Sequence, residues 1–189
     1  MIAKMILPWF GGSTAVWVTC MLFFQVGLLA GYVYAHAVIR YLRPRVQSRV
    51  HALLLVASLA ALPLGPAAQW KPTGAEDPAW HIVCLLTVSV GLPYLLLSAT
   101  TPLIQAWYAE KFRSTLPYRL FALSNFASLL GLLAYPFLIE PRLSLAEQSL
   151  GWSLAYGVFA GLAGLVAMLS SGPSGSAAPT PVASEDTTW

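Results

Sequence analysis

The side chains with chemistry to offer gather in one stretch, from Ser98 to Pro141. It reads S-A-T-T-P-L-I-Q-A-W-Y, then a short basic linker, then P-Y-R-L-F-A-L-S-N-F-A-S-L-L-G-L-L-A-Y-P-F-L-I-E-P. Ser98, Thr100, Thr101 and Gln105 precede the linker; Ser124, Asn125, Ser128 and Glu140 follow it. Their hydroxyls and amides could line a polar cavity, and Glu140, next to the end of an apolar run, could draw a cationic amine. Gln105, Ser124, Asn125, Ser128 and Glu140 are therefore the candidate substrate-binding residues. In lipid the same residue types serve more often as hydrogen-bonding glue between helices. Glu140, placed at a run's end before Pro141, also reads as a solvated interfacial group.

The elements that must hold these residues are apolar runs. A helix needs about 20 apolar residues to cross a bilayer. The first run covers residues 14–39, with Gly27 and Gly31 as a G-x-x-x-G pair that lets another helix approach closely. Gln25 is its one strongly polar interior residue, and Tyr32, Tyr34 and His36 read as an interfacial belt at its exit. A loop with Arg40, Arg43, Arg45 and Arg49 follows, which the positive-inside rule assigns to the cytoplasm. The second run, 50–68, is weakened at its far end by Pro63, Gly65 and Pro66.

The third run starts near residues 78–80 and contains Gly91 and Pro93, which predict a kink. It is expected to break at Thr101-Pro102, since Pro suits the first turn of a new helix. Lys111, Arg113 and Arg119 make the next linker basic, hence cytoplasmic. The fourth run spans 118–139. The fifth spans 145–169, where Gly157, Gly161 and Gly164 make a small-residue packing face.

Composition agrees. Hydrophobic residues make up 58% of the 189 and charged residues 9%, with mean hydropathy +0.70. An ordinary soluble domain is about 25% charged, so lipid is the solvent this chain can accept. The net charge of +3 comes from loop Arg residues and no basic run of nucleic-acid-binding length occurs. Cys20 and Cys84 sit inside apolar runs as small hydrophobic residues, and His36, His51 and His81 are scattered, so no metal site is expected. Apart from Glu147 at the very start of the fifth run, the runs carry no acid, which speaks against an ion-driven pump.

Residues 170–189 read S-S-G-P-S-G-S-A-A-P-T-P-V-A-S-E-D-T-T-W, a linker or tail without apolar periodicity that is expected to be disordered. The expected fold is thus an all-α, polytopic transmembrane bundle of about five spans, the third one broken. Residues 1–13 read as the remnant of a preceding helix, 14–169 as the membrane domain and 170–189 as the tail. Counting from the two basic loops puts the C-terminus in the cytoplasm. It also puts the start outside without a signal segment, which hints at a missing upstream helix.

Three stretches carry a family resemblance: G-G-S-T-A-V-W-V-T-C-M-L-F-F-Q-V-G-L-L-A-G-Y-V-Y-A-H, G-L-P-Y-L-L-L-S-A-T-T-P-L-I-Q-A-W and P-Y-R-L-F-A-L-S-N-F-A-S-L-L-G-L-L-A-Y-P-F with Glu140-Pro141. Over roughly residues 1–169 the chain resembles the spermidine-synthase-like integral membrane proteins of bacteria. In these a major-facilitator-like membrane domain is fused to a spermidine synthase. The resemblance implies a bacterial inner-membrane protein associated with a domain that binds decarboxylated S-adenosylmethionine and transfers an aminopropyl group to putrescine.

That domain needs a Gly-rich turn between strand and helix, and acids for the amines. Gly11-Gly12 and Gly172-x-x-Gly175 do not have that context. The chain is therefore expected to be non-catalytic and without a cofactor, anchoring or feeding a missing or separate synthase-like α/β domain. A permease half for amines or other small solutes is the alternative. Expected partners are the bilayer and such a domain, or further copies of the chain, and not nucleic acid.

Overall fold

A computed structural model describes residues 1–72, 74, 77–112 and 117–170. Arg113 of the second basic linker, Glu76 and the tail from 171 onward lie outside the described residues. Seven α-helices account for most of the chain, with no strand among the described residues: α1 (Ile2–Phe10), α2 (Thr14–Tyr41), α3 (Pro44–Ser58), α4 (Pro78–Leu86), α5 (Leu92–Phe112), α6 (Pro117–Ala134) and α7 (Leu145–Ser170). The segment read as a remnant, residues 1–13, forms α1 and packs Ile6 into the core.

The sequence sets the boundaries locally. Arg43 is extended, as the residue before a proline must tend to be, and Pro44 opens α3. At the start of α4, Asp77 Oδ1 accepts from the Ala79 amide at 2.8 Å, with Pro78 in the first turn. At the start of α7, Ser144 Oγ accepts from the Glu147 amide at 3.3 Å while Glu147 Oε2 accepts from the Ser144 amide at 2.8 Å. That reciprocal pair is a capping box.

Among the described residues, four helical stretches are long and apolar enough to cross a membrane: Thr14–Tyr41, Pro78–Ala109, Phe121–Ile139 and Leu145–Leu169. Their outward faces are apolar; Met21, Leu29, Val33, Leu132, Leu154, Val158 and Leu162 are all exposed. The molecule is a multi-pass membrane protein. The second expected run forms α3 and a 3-10 turn, Leu59–Ala61, which together are shorter than a full span. It reaches from the Arg-rich end into the bundle, where Gln47 meets Trp107 and, about three turns on, Ser58 meets Tyr156.

The third run departs from expectation. It does not break at Thr101-Pro102, since α5 is continuous through Pro102. Proline is tolerated there because neighbouring helices hold the turn. Ala99, Thr100 and Leu103 on that turn are buried, and Gly31 of α2 lies against Ser98 and Ala99. The irregularity sits earlier, in a π-turn over Thr87–Gly91. Pro93 has no N–H for the Ser89 carbonyl, and the helix widens at that place. A second π-turn, Tyr135–Ile139, contains Pro136 and prolongs α6; Glu140 N–H reaches the Tyr135 carbonyl at 2.8 Å.

Side-chain pairs give the directions. Gly27 meets Tyr94 and Gly31 meets Ser98, so α2 and α4–α5 run parallel. Antiparallel α3 lies against both, and α7 lies along α3 with Ala167 beside the α5 residues Leu103 and Trp107. The core has two clusters. One holds Val16, Cys20, Leu55, Ile82, Leu86 and Tyr156. The other, at the Arg-rich end, holds Ala35, Val38, Leu103, Trp107 and Ala167. Helix α6 stands apart, packing slightly on α5 with no residue of its apolar window buried.

Candidate functional site

The five candidate binding residues do not share one cavity. Gln105 on α5 is partly buried, and its Nε2 is shut from solvent with no hydrogen-bond partner among the described residues. On α6, Ser128 Oγ donates to the Ser124 carbonyl at 2.9 Å, a bond within the helix. Asn125 and Ser128 are exposed and Ser124 half-buried. Glu140 lies at the other end of the bundle from Gln105 and accepts from Lys4 Nζ in an ion pair. That bond raises the Lys4 ammonium above its ordinary value. What keeps these residues apart is α6, which carries three of them and makes little contact with α5.

The packing glycines divide into two kinds. A Cβ on Gly31 would stand 2.7 Å from Ser98 Cβ and 2.9 Å from the Leu95 carbonyl oxygen, and one on Gly27 would stand 3.0 Å from the Tyr94 ring. Gly157 and Gly161 have nothing within 4 Å of that position. The face of α7 that packs is one residue over, at Ser153, Tyr156, Ala160, Ala163 and Ala167, all buried. The expected small-residue packing face on α7 is therefore not the face in contact.

The polar side chains that do converge are others. His51 of α3 is fully buried, with Nε2 at 2.9 Å from Thr100 Oγ1. Thr100 spends its own proton on the Leu96 carbonyl at 2.6 Å. Nε2 must then carry the proton and donate to Oγ1, which leaves Nδ1 as an acceptor for the Tyr34 hydroxyl at 3.4 Å. Tyr34 thus turns towards the bundle and is not a belt residue facing lipid. One turn along, Trp107 Nε1 donates to Gln47 Oε1 at 2.9 Å, and Gln47 Nε2 donates to the Leu42 carbonyl at 2.9 Å. Leu42 lies just past the end of α2, where carbonyls lack helical partners.

Three more hydrogen bonds tie α7 to α3 and to the segment that follows it. Ser58 Oγ donates to the Leu55 carbonyl at 2.6 Å, so the Tyr156 hydroxyl donates to Ser58 Oγ at 2.7 Å. Ser153 Oγ accepts from the Leu64 amide at 2.8 Å, and Ser149 Oγ donates to the Leu64 carbonyl. Each group is satisfied by another, as buried polar groups must be in lipid. Sequence reading passed over His51 because it stands alone between an Arg-rich loop and an Ala/Leu run. The spacing of Gln47, His51 and Ser58 at i, i+4 and i+11 was the available signal, since it puts three polar groups on one helix face. No three His, Cys, Asp or Glu residues among those described gather closely enough to hold a metal ion.

A cavity of about 530 Å³, which His51, Thr100, Gln47 and Trp107 do not line, lies between α1, α5, α7 and the second π-turn. Its walls are strongly aromatic: Phe24, Tyr94, Tyr135, Trp152, Tyr156 and Phe159. Both π-turns contribute, through Val90 and Tyr135. The Tyr135 hydroxyl is already engaged by Gln148 Oε1 at 3.0 Å. Size and apolar lining are those of a small-molecule pocket. No protein-family model, no curated protein and no solved structure matches this chain.

Proposed function

We propose that the chain is the non-catalytic membrane module of a spermidine-synthase-like protein of the bacterial inner membrane, anchoring or feeding an aminopropyltransferase-type domain. One observation carries the choice of anchor over carrier. Gln47, His51 and Ser58 of α3 spend their polar groups on Trp107 and Thr100 of α5 and on Tyr156 of α7, which ties these three helices into one block, with the Gln105 amide of α5 outside that network. A solute carrier needs such groups turned towards a shared path. The Arg-rich end, with Arg40, Arg43, Arg45 and Arg49, faces the cytoplasm in this reading, as does the C-terminal tail.

The test is affinity purification of the tagged full chain from native membranes. Recovery of a synthase-like α/β protein, or of a longer product containing one, is the expected result. Recovery of the chain alone, from cells that also lose amine uptake on its deletion, would sink the reading in favour of a permease half. Gln105, with its closed-off amide, is the residue favouring that alternative. Transport unaffected by Gln105→Leu and Asn125→Leu would remove them from any solute path. Orientation is tested by an impermeant maleimide on Arg45→Cys and Arg142→Cys in a Cys20→Ser/Cys84→Ser background. Only the former should be shielded in intact cells.

A further inference from the structure

We propose that the aromatic cavity holds one acyl chain of a membrane phospholipid whose zwitterionic headgroup sits at Lys4 and Glu140. This rests on geometry independent of any synthase partner. The cavity reaches the surface of the bundle, since Leu97 and Trp152, which line it, are 42% and 47% exposed. At that surface the surrounding medium is lipid. Water has little to bond inside, because a water needs two to four polar partners. The Tyr135 and Tyr156 hydroxyls in the wall are already given to Gln148 and Ser58. An empty space of this size forfeits dispersion contacts along its whole lining. A hydrocarbon chain restores them.

The charges at its edge select the headgroup. Met1, Ile2 and Ala3 line the cavity and Lys4 follows them; Tyr135 lines it, and its carbonyl holds the Glu140 amide. Lys4 and Glu140 are paired, with side chains 44% and 36% exposed. A purely anionic headgroup would satisfy Lys4 and leave Glu140 facing like charge. A phosphoethanolamine group brings phosphate to Lys4 and ammonium to Glu140, so neither is left alone. The two π-turns make the room, because each widens its helix where it borders the cavity, and such bulges recur at functional sites.

The test uses the full chain in detergent, delipidated and then given dioleoyl-phosphatidylethanolamine or dioleoyl-phosphatidylglycerol, with bound lipid counted by native mass spectrometry. The wild type is expected to retain one phosphatidylethanolamine per chain in preference to phosphatidylglycerol. Ala155→Phe and Leu97→Trp both fill the cavity from exposed lining positions and should lower retention about tenfold, a loss of 1.4 kcal/mol in binding. Glu140→Gln should keep the lipid but abolish the preference. Equal retention of both lipids by wild type and both filled variants would mean a boundary lipid only, and overturn the proposal. So would a lipid-free dimer that either filled variant dissociates, which would make the occupant a second copy of the chain.

Discussion

His51 Nε2 lies 2.9 Å from Thr100 Oγ1, and Thr100 has already given its proton to Leu96. The order of donation is therefore fixed along Tyr34, His51, Thr100 and the α5 backbone. It crosses three helices at the seam between the two core clusters, with Leu55 and Leu96 on one side and Ala99 and Leu103 on the other.

Thr100→Val keeps the shape of the side chain and removes the acceptor. The imidazole N–H is then buried without a partner, and the loss should be about 1–3 kcal/mol. His51→Leu should cost less than His51→Gly, because it fills the space and removes the orphan. The double variant His51→Leu/Thr100→Val should fall short of the sum of the single losses. Thermal unfolding in detergent reads all of these, and full additivity would show that the two residues do not act on each other.

Gly31 and Gly157 offer a matched pair. Gly31→Ala pushes a methyl into the Ser98 Cβ and the Leu95 carbonyl of α5 and should destabilise by about 1–3 kcal/mol. Gly157→Ala meets open space and should gain up to about 1 kcal/mol from helix propensity. Equal effects at the two positions would contradict the placement of α2 on α5.

Ser144→Ala removes the Oγ half of the capping box at the start of α7, keeps the backbone half to Glu147 Oε2, and should cost about 1 kcal/mol. Glu147→Gln keeps a capping-box side chain and should cost less. Hydrogen exchange of the first turn of α7 distinguishes this local fraying from a global loss.

Lys4 supplies the pH dependence. Its bond to Glu140 raises its pKa above the ordinary lysine value of 10.5, so the folded protein holds this proton more tightly than the unfolded chain. The contribution is complete below that ordinary value and is lost as pH climbs through the raised one. Docking of α1, read by proteolysis near Gly11 and Gly12, should be unchanged by Lys4 titration up to mildly alkaline pH and loosen above 10.5. Lys4→Gln should remove that alkaline step. Both side chains are well exposed, so high salt should weaken the pair at any pH.

The helical architecture was legible because hydropathy over twenty residues is a strong signal, and Gly27/Gly31 because close approach leaves no alternative to glycine. The contacts of the polar groups were not. Asn125 and His51 are both polar residues at the edge of or within apolar sequence, yet one faces outward and the other is sealed in the core. Which face of a helix is covered depends on the neighbours it meets, and in lipid the outward face is as apolar as the inward one. Thr101-Pro102 misled for a related reason: proline weakens a helix locally, and packing around Ala99 and Leu103 outweighs it.

The π-turn at Thr87–Gly91 gives the helix of residues 78–112 an angular meaning. It holds one residue more than a plain α-helical path would use. Removing any one of the five would let the turn close to plain α-helix with the two halves near their present phase. A deletion in the regular α-helical stretch over 92–97 would instead swing everything beyond it by about 100°, with an axial shift of about 1.5 Å. Thr100 would leave His51 and Ser98 would leave Gly31 in that movement, so the π-turn is the place along this helix where a residue can be lost while the contacts of both halves are kept.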